Sequence, residues 1–200
     1  AGVVIESAVR RDLARVAAAL RRRDFDAIPI PDDDFAKPIF EEVLRVNLEL
    51  ARDAFGQAQP PALVVLPETT VPTLLDRLPE GYLEAFAGLA GQAGGDLVMG
   101  AFRRDAEERI YNAAISLGRS PSGHYAKHHL VPFGEYSPPR FHWFYDLVNI
   151  PMADQTRGPA HQPPLALAGQ KVAINICYED VFGEELIRSL PEATLMLNLS

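Results

Sequence analysis

Lys171-Val172-Ala173-Ile174-Asn175-Ile176-Cys177-Tyr178-Glu179-Asp180 is the stretch whose reading decides the fold. A short, largely apolar run with β-branched members predicts a buried strand over Lys171–Ile176. Cys177 follows directly, at the carboxyl end of that strand, where open α/β sheets hold their ligands. Ala62-Leu63-Val64-Val65-Leu66 repeats the pattern and is closed by Pro67-Glu68-Thr69-Thr70, which puts Glu68 at the matching position.

Working outward, Asp96–Phe102 and Arg109–Leu117 read as strands, and Ser120-Pro121-Ser122-Gly123 as a turn that makes Ile110–Lys127 a hairpin. Thr194–Asn198 reads as a final strand. Helices are predicted over Glu41–Phe55, Tyr82–Ala93 and Gly183–Leu190. Val9, Leu13, Val16, Ala17 and Leu20 recur at helical spacing and end in Arg21-Arg22-Arg23, which suit the negative end of a helix dipole. Ile28-Pro29-Ile30-Pro31 and the acids Asp32-Asp33-Asp34 read as extended and turn-like. Strands alternating with helices predict an α/β protein with a largely buried sheet.

The 200 residues are 48% hydrophobic and 23% charged, a balance that excludes a disordered tail or a disulfide-knotted miniprotein. A net charge of −8 gives nucleic-acid binding no electrostatic support. The longest stretch free of charge, Ala54–Pro67, has 14 residues interrupted by prolines, short of the 20 or so that a spanning helix needs. Neither a spanning segment nor a signal peptide is expected, and the chain as it stands reads as soluble. From Pro132 to Pro164 the character changes: seven of 17 prolines fall there, and six of 17 aromatics lie between Phe133 and Tyr145. The run Phe141-His142-Trp143-Phe144-Tyr145 fits either a core plug or an apolar lid that touches lipid.

Several side chains could do chemistry. Cys177, the single cysteine, is either a small buried hydrophobe or a nucleophile turned towards a cleft. Glu68 is either a solvated turn residue or a general base in an apolar cleft. Lys127, taken alone, reads as a surface lysine, although an ammonium beside a thiolate and a carboxylate would favour both charged forms. His124, His128 and His129 raise the possibility of a metal, but no Cys, Asp or Glu lies within that run to complete a site, which favours a non-metal reading. Nothing marks a serine nucleophile elbow, a phosphate loop or a dinucleotide fingerprint.

Taken in order, Leu66-Pro67-Glu68-Thr69, Gly123 to Tyr136 and Ile176-Cys177-Tyr178-Glu179-Asp180 resemble the nitrilase (carbon-nitrogen hydrolase) superfamily. The segments Lys127-His128-His129-Leu130-Val131-Pro132-Phe133-Gly134-Glu135-Tyr136, Arg157-Gly158-Pro159 and Cys177 to Glu185 are similar to the apolipoprotein N-acyltransferase family within it. The resemblance covers about Ala62 to Ser200. It implies an αββα sandwich, incomplete at the C-terminus, over residues 27–200, with residues 1–26 a separate helical segment. It further implies a triad of Glu68 as base, Lys127 as oxyanion stabiliser and Cys177 as nucleophile. Glu135 would orient Lys127, a backbone N–H near Tyr178 would help hold the oxyanion, and Glu179 would shape the pocket. Phe133, Tyr136, Phe141, Trp143 and Phe144 would form a lipid or substrate lid.

The activity so implied moves an acyl chain from phospholipid, through a Cys177 thioester, to the diacylglyceryl-cysteine at a lipoprotein N-terminus. It requires no metal and no organic cofactor. Its setting would be the outer, periplasm-facing side of a bacterial plasma membrane, reached through membrane segments outside this chain. Two alternatives stand beside it: an amidase using the same triad on a small amide, and a non-catalytic binding module left by truncation.

Overall fold

The structure is a computed structural model, and it describes residues 33–131, 135 and 155–200, with side chains from residue 39 onward. The boundary expected near residue 26 and the helix expected over Val9–Leu20 lie outside the described residues, as do all five lid residues.

Helix α1 spans Asp33–Phe55, starting well before the expected Glu41. Asp33 and Asp34, read as part of a turn, instead lie in its first turn. Within the first compact unit, Ala1–Arg45, Arg45 pairs with Glu42 one turn back at 2.6 Å. The second unit, Val46–Ser200, holds the rest of α1 and both sheets.

The first sheet contains β1 (Leu63–Val65), β2 (Val71–Leu74), β3 (Asp96–Arg104), β4 (Ile110–Gly118) and β5 (Gly123–Ala126). Its order is β1-β3-β4-β5, with β2 also paired to β3. Strands β1 and β2 run parallel to β3, whereas β3, β4 and β5 form an antiparallel meander through the expected hairpin. The sequence reading missed β2, because Pro72 lacks a backbone N–H and suits only a short strand with limited pairing.

The second sheet, β6-β7-β8, is built from Leu165–Leu167, Gln170–Ile176 and Leu195–Leu199. Strand β6, also missed, has three residues and joins β7 antiparallel through a turn at Ala168 and Gly169, both of positive φ. Strands β7 and β8 pair in parallel, from Val172 opposite Leu195 to Ile176 opposite Leu199.

The two sheets pack face to face. Val98 and Ala114 of the first meet Leu167, Val172, Ile174, Ile176 and Leu199 of the second. Each Val, Leu or Ile buried there contributes about 1.5–3 kcal/mol against exposure. Alternation turns Leu97 and Met99 to the other side of β3, where they are also fully buried. Helix α2 (Tyr82–Gln92) packs on β3 and β4 from that side and buries Phe86 and Ala90. Beyond β7 the chain makes one 3-10 turn, Cys177–Val181, then the short helix α3, Gly183–Leu186. Among the described residues no helix is long and apolar enough to cross a membrane.

Candidate active site

Three strand ends converge. Glu68 follows β1, Lys127 follows β5 and Cys177 follows β7. The reading of Lys127 as a surface residue is overturned. Its side chain is 1% exposed, and Nζ lies 3.1 Å from Glu68 Oε1 and 2.7 Å from Glu135 Oε1. Burial works against an ammonium there, but Glu135 first and then Glu68 outweigh that cost and hold the Lys127 pKa above its ordinary value.

The Glu68 turn is fixed from several sides. Leu66 N–H donates to Val98 O at 2.8 Å, Thr70 Oγ1 donates to Pro67 O at 2.6 Å, and Asn47 Nδ2 donates to Thr70 O at 2.7 Å. Thr69 sits in the left-handed region at φ 55°. The turn also lies directly on Gly100 of β3, where a Cβ would stand 2.6 Å from both Glu68 Cα and Thr69 N. Only glycine allows that approach.

Cys177 adopts φ 55° as well, a conformation that costs a residue with a Cβ roughly 1–2 kcal/mol. Strain of this kind persists where the surroundings over-determine it, and it concentrates at functional sites. Here the surroundings include Asn198, whose Nδ2 donates to Cys177 O at 2.8 Å and also to Asn175 Oδ1. The thiol is partly buried. Burial pushes its pKa up and the adjacent Glu68 carboxylate adds to the rise. The Lys127 ammonium and the Tyr178 backbone N–H pull it down without overcoming the rise. At neutral pH Cys177 therefore rests as a thiol beside a carboxylate.

Glu179 joins the nucleophile turn to the lysine loop. Its Oε1 accepts the N–H of His128 at 2.7 Å and of His129 at 2.9 Å, while Oε2 accepts Ile176 N–H at 2.8 Å. Tyr125 OH reaches both oxygens, at 3.1 and 3.0 Å. Gly158 braces the same loop by donating to Lys127 O at 2.8 Å, and a Cβ on it would collide with the Ala126 carbonyl. A carboxylate, an ammonium, a thiol and a backbone N–H thus lie together, an arrangement suited to acyl transfer through a covalent intermediate.

The profile of the carbon-nitrogen hydrolase family matches residues 36–200. The chain belongs to that family. Among its relatives is an apolipoprotein N-acyltransferase of Nitrosomonas europaea, 48% identical over 147 residues that make up 72% of this chain and 30% of that protein. A Bordetella bronchiseptica protein of the same name is 38% identical over 189 residues, 83% of this chain and 35% of that one. The chain spans about a third of the length of these curated relatives. Solved structures share the fold. A carbon-nitrogen hydrolase from Helicobacter pylori G27 aligns with TM-score 0.57 at 18% identity, covering 79% of this chain and 54% of that one. An amidase of the nitrilase superfamily from Nesterenkonia AN1 aligns with TM-score 0.54 at 20% identity, covering 78% of this chain and 59% of that one.

Within this carbon-nitrogen hydrolase domain, Glu68, Lys127, Glu135 and Cys177 come together, and Glu179 lies behind them. The Tyr178 backbone N–H lowers the thiol pKa, while the Tyr178 ring meets Phe182 edge-on at 5.3 Å. Phe133, Tyr136, Phe141, Trp143 and Phe144 lie outside the described residues. The histidine run does not act as one cluster, because His124 is exposed on β5. The fold does bring a carboxylate to the other two, a neighbour the sequence run lacked. His129 Nδ1 lies 2.9 Å from Glu185 Oε2, His128 Nδ1 meets Gly158 O at 2.7 Å, and donor atoms of the three residues fall within 4.8 Å. Sequence reasoning missed Asn112 and Tyr125. Asn112 had a signal: an amide amid the apolar residues Tyr111, Ala113, Ala114 and Ile115 must find partners when buried.

Proposed function

We propose that the domain is the catalytic part of an N-acyltransferase that carries an acyl chain on Cys177. The observation that supports this most directly is the meeting of Cys177, Glu68 and Lys127 in a chain whose relatives are named apolipoprotein N-acyltransferases. The acyl donor is a phospholipid and the acceptor is the α-amine of a lipoprotein N-terminal diacylglyceryl-cysteine. The reaction takes place on the outer face of a bacterial plasma membrane, where Phe133, Tyr136, Phe141, Trp143 and Phe144 contact lipid.

Glu68 removes the thiol proton as Sγ attacks the ester carbonyl. Lys127 Nζ and the Tyr178 N–H hold the oxyanion. Collapse breaks the ester C–O bond, and the lysophospholipid oxygen leaves with the proton from Glu68 while the acyl group stays on sulfur. The acceptor amine then attacks the thioester and gives its proton to Glu68. The C–S bond breaks and the proton returns to sulfur. Dividing the transfer in two lowers each barrier, and fixed donors aimed at the developing charge contribute the larger share.

The test offers the protein a phospholipid with a labelled acyl chain and a diacylglyceryl-cysteine peptide in mixed micelles. Label is expected on the peptide α-amine, and Cys177→Ala abolishes it. Hydrolysis of a small amide with no transfer to the peptide would instead support the amidase reading.

A further inference from the structure

Asn112 is the third residue of β4, opposite Phe102 of β3, and is 3% exposed. Its Nδ2 donates to Glu68 Oε1 at 2.7 Å and to Glu135 Oε1 at 3.2 Å. Lys127 Nζ donates to the same two oxygens, at 3.1 and 2.7 Å. The four groups therefore close a ring in which two donors alternate with two acceptors. Facing two carboxylates, the amide can present only its NH2 group. Asn112 also holds Lys127 through the backbone, because its carbonyl accepts Lys127 N–H at 2.8 Å.

Counting hydrogens assigns the remaining atoms. An amide NH2 has two, and the ring uses both. An ammonium has three, of which the ring uses two. The second oxygen of Glu135 is taken by Val131 N–H at 2.8 Å. The second oxygen of Glu68 stays outside the ring, on the carboxylate that neighbours the Cys177 thiol. A lone ammonium between two carboxylates would leave Glu68 free to swing about its χ angles. A neutral second donor removes that freedom without adding charge.

We infer that Asn112 is a positioning residue: it pins Glu68 by Oε1, so that Oε2 takes the Cys177 proton and the third Nζ hydrogen of Lys127 is left for the oxyanion. This rests on the reading of Glu68 as base. It adds which oxygen acts and what holds it there.

A double-mutant cycle read by a lipid-independent probe tests it. The charged groups facing Cys177 are Glu68 and Lys127. Alkylation of Cys177 by iodoacetamide is followed against pH in the unaltered protein, Asn112→Ala, Glu68→Gln and the double variant. Release of Glu68 moves its charge off the thiol, so the midpoint in Asn112→Ala falls towards that of Glu68→Gln. The double variant coincides with Glu68→Gln. Thioester formation from phospholipid falls in Asn112→Ala by on the order of 10²-fold, as for a misplaced reacting group. Asn112→Ser, which keeps one donor, gives an intermediate midpoint and serves if the alanine variant does not fold. An unchanged midpoint in a folded Asn112 variant, or an equal shift with and without Glu68, overturns the inference. Failure of phospholipid to acylate any form, with the alkylation cycle as expected, overturns the acyl-transfer reading and leaves the role of Asn112 standing.

Discussion

Glu179 Oε1 accepts the His128 backbone N–H at 2.7 Å, and so one carboxylate two residues past Cys177 fixes the residue that follows Lys127. With His129 N–H, Ile176 N–H and Tyr125 OH on the same group, the spacing between the Lys127 and Cys177 loops is set by a buried anion. Glu179→Gln keeps the shape but turns an NH2 towards backbone donors. The variant is expected to lose about 2–3 kcal/mol of stability, since hydrogen bonds to a charged group are worth about that. Its thioester rate should fall on the order of 10²-fold through loop displacement. Thermal melting and single-turnover acylation check both.

Gly100→Ala tests the seat of the base. The added methyl meets backbone atoms of Glu68 and Thr69 at 2.6 Å, so the turn must lift. Overpacking of this kind costs about 1–3 kcal/mol. The expected outcome is a folded protein with acylation reduced at least about tenfold at saturating donor, because small misplacements of a catalytic group cost that much or more. Single-turnover acylation at saturating donor, alongside a melting curve, checks both effects.

The titration of Cys177 separates its two charged neighbours. Glu68 raises the thiol pKa and Lys127 lowers it. Alkylation midpoints should therefore fall in Glu68→Gln and rise in Lys127→Met, relative to the unaltered protein. Both variants should be inactive in acyl transfer. The Glu68 variant would then pair a more acidic thiol with no turnover, which distinguishes a base from a mere activator of the thiolate.

Asp96 governs stability away from the chemistry. It is 1% exposed and accepts Ser120 N–H, Ser120 Oγ–H and Ala168 N–H, each at 2.7 Å, tying the β4–β5 loop to the β6–β7 turn. Burial alone would raise its pKa, but the donors of Ser120, Ala168 and Arg119 hold it below the ordinary value. A depressed folded-state pKa stabilises above the unfolded value, and that stability is lost as pH falls through the lowered one. Asp96→Ala leaves several buried donors unpaired and should cost roughly 3–5 kcal/mol. Its melting temperature should also lose the part of the acid-side pH dependence that Asp96 carries.

How much of this was legible in the sequence follows from where each signal lives. Strand β7 and Cys177 were readable because a continuous apolar run ending in a thiol is a local pattern, and Glu68 after β1 repeats it. The meander β3-β4-β5 was readable from its turn residues. Strand β2 was not, because Pro72 argues against a strand unless its edge position is known. Lys127 looked exposed in isolation, and only two carboxylates, Glu68 from a distant segment and Glu135 eight residues on, make burial affordable. Asn112 and Glu185 gained their meaning from partners 44 and 56 residues away, Glu68 and His129 in turn, which no local window contains.

The central claim is that Cys177 carries the acyl group. Intact-mass measurement after incubation with phospholipid tests it most directly. The expected result is a mass gain of one acyl chain, located on Cys177, removed by neutral hydroxylamine and absent from Cys177→Ala. A folded protein that gains no acyl mass, or gains it on another residue in the alanine variant as well, would contradict the account.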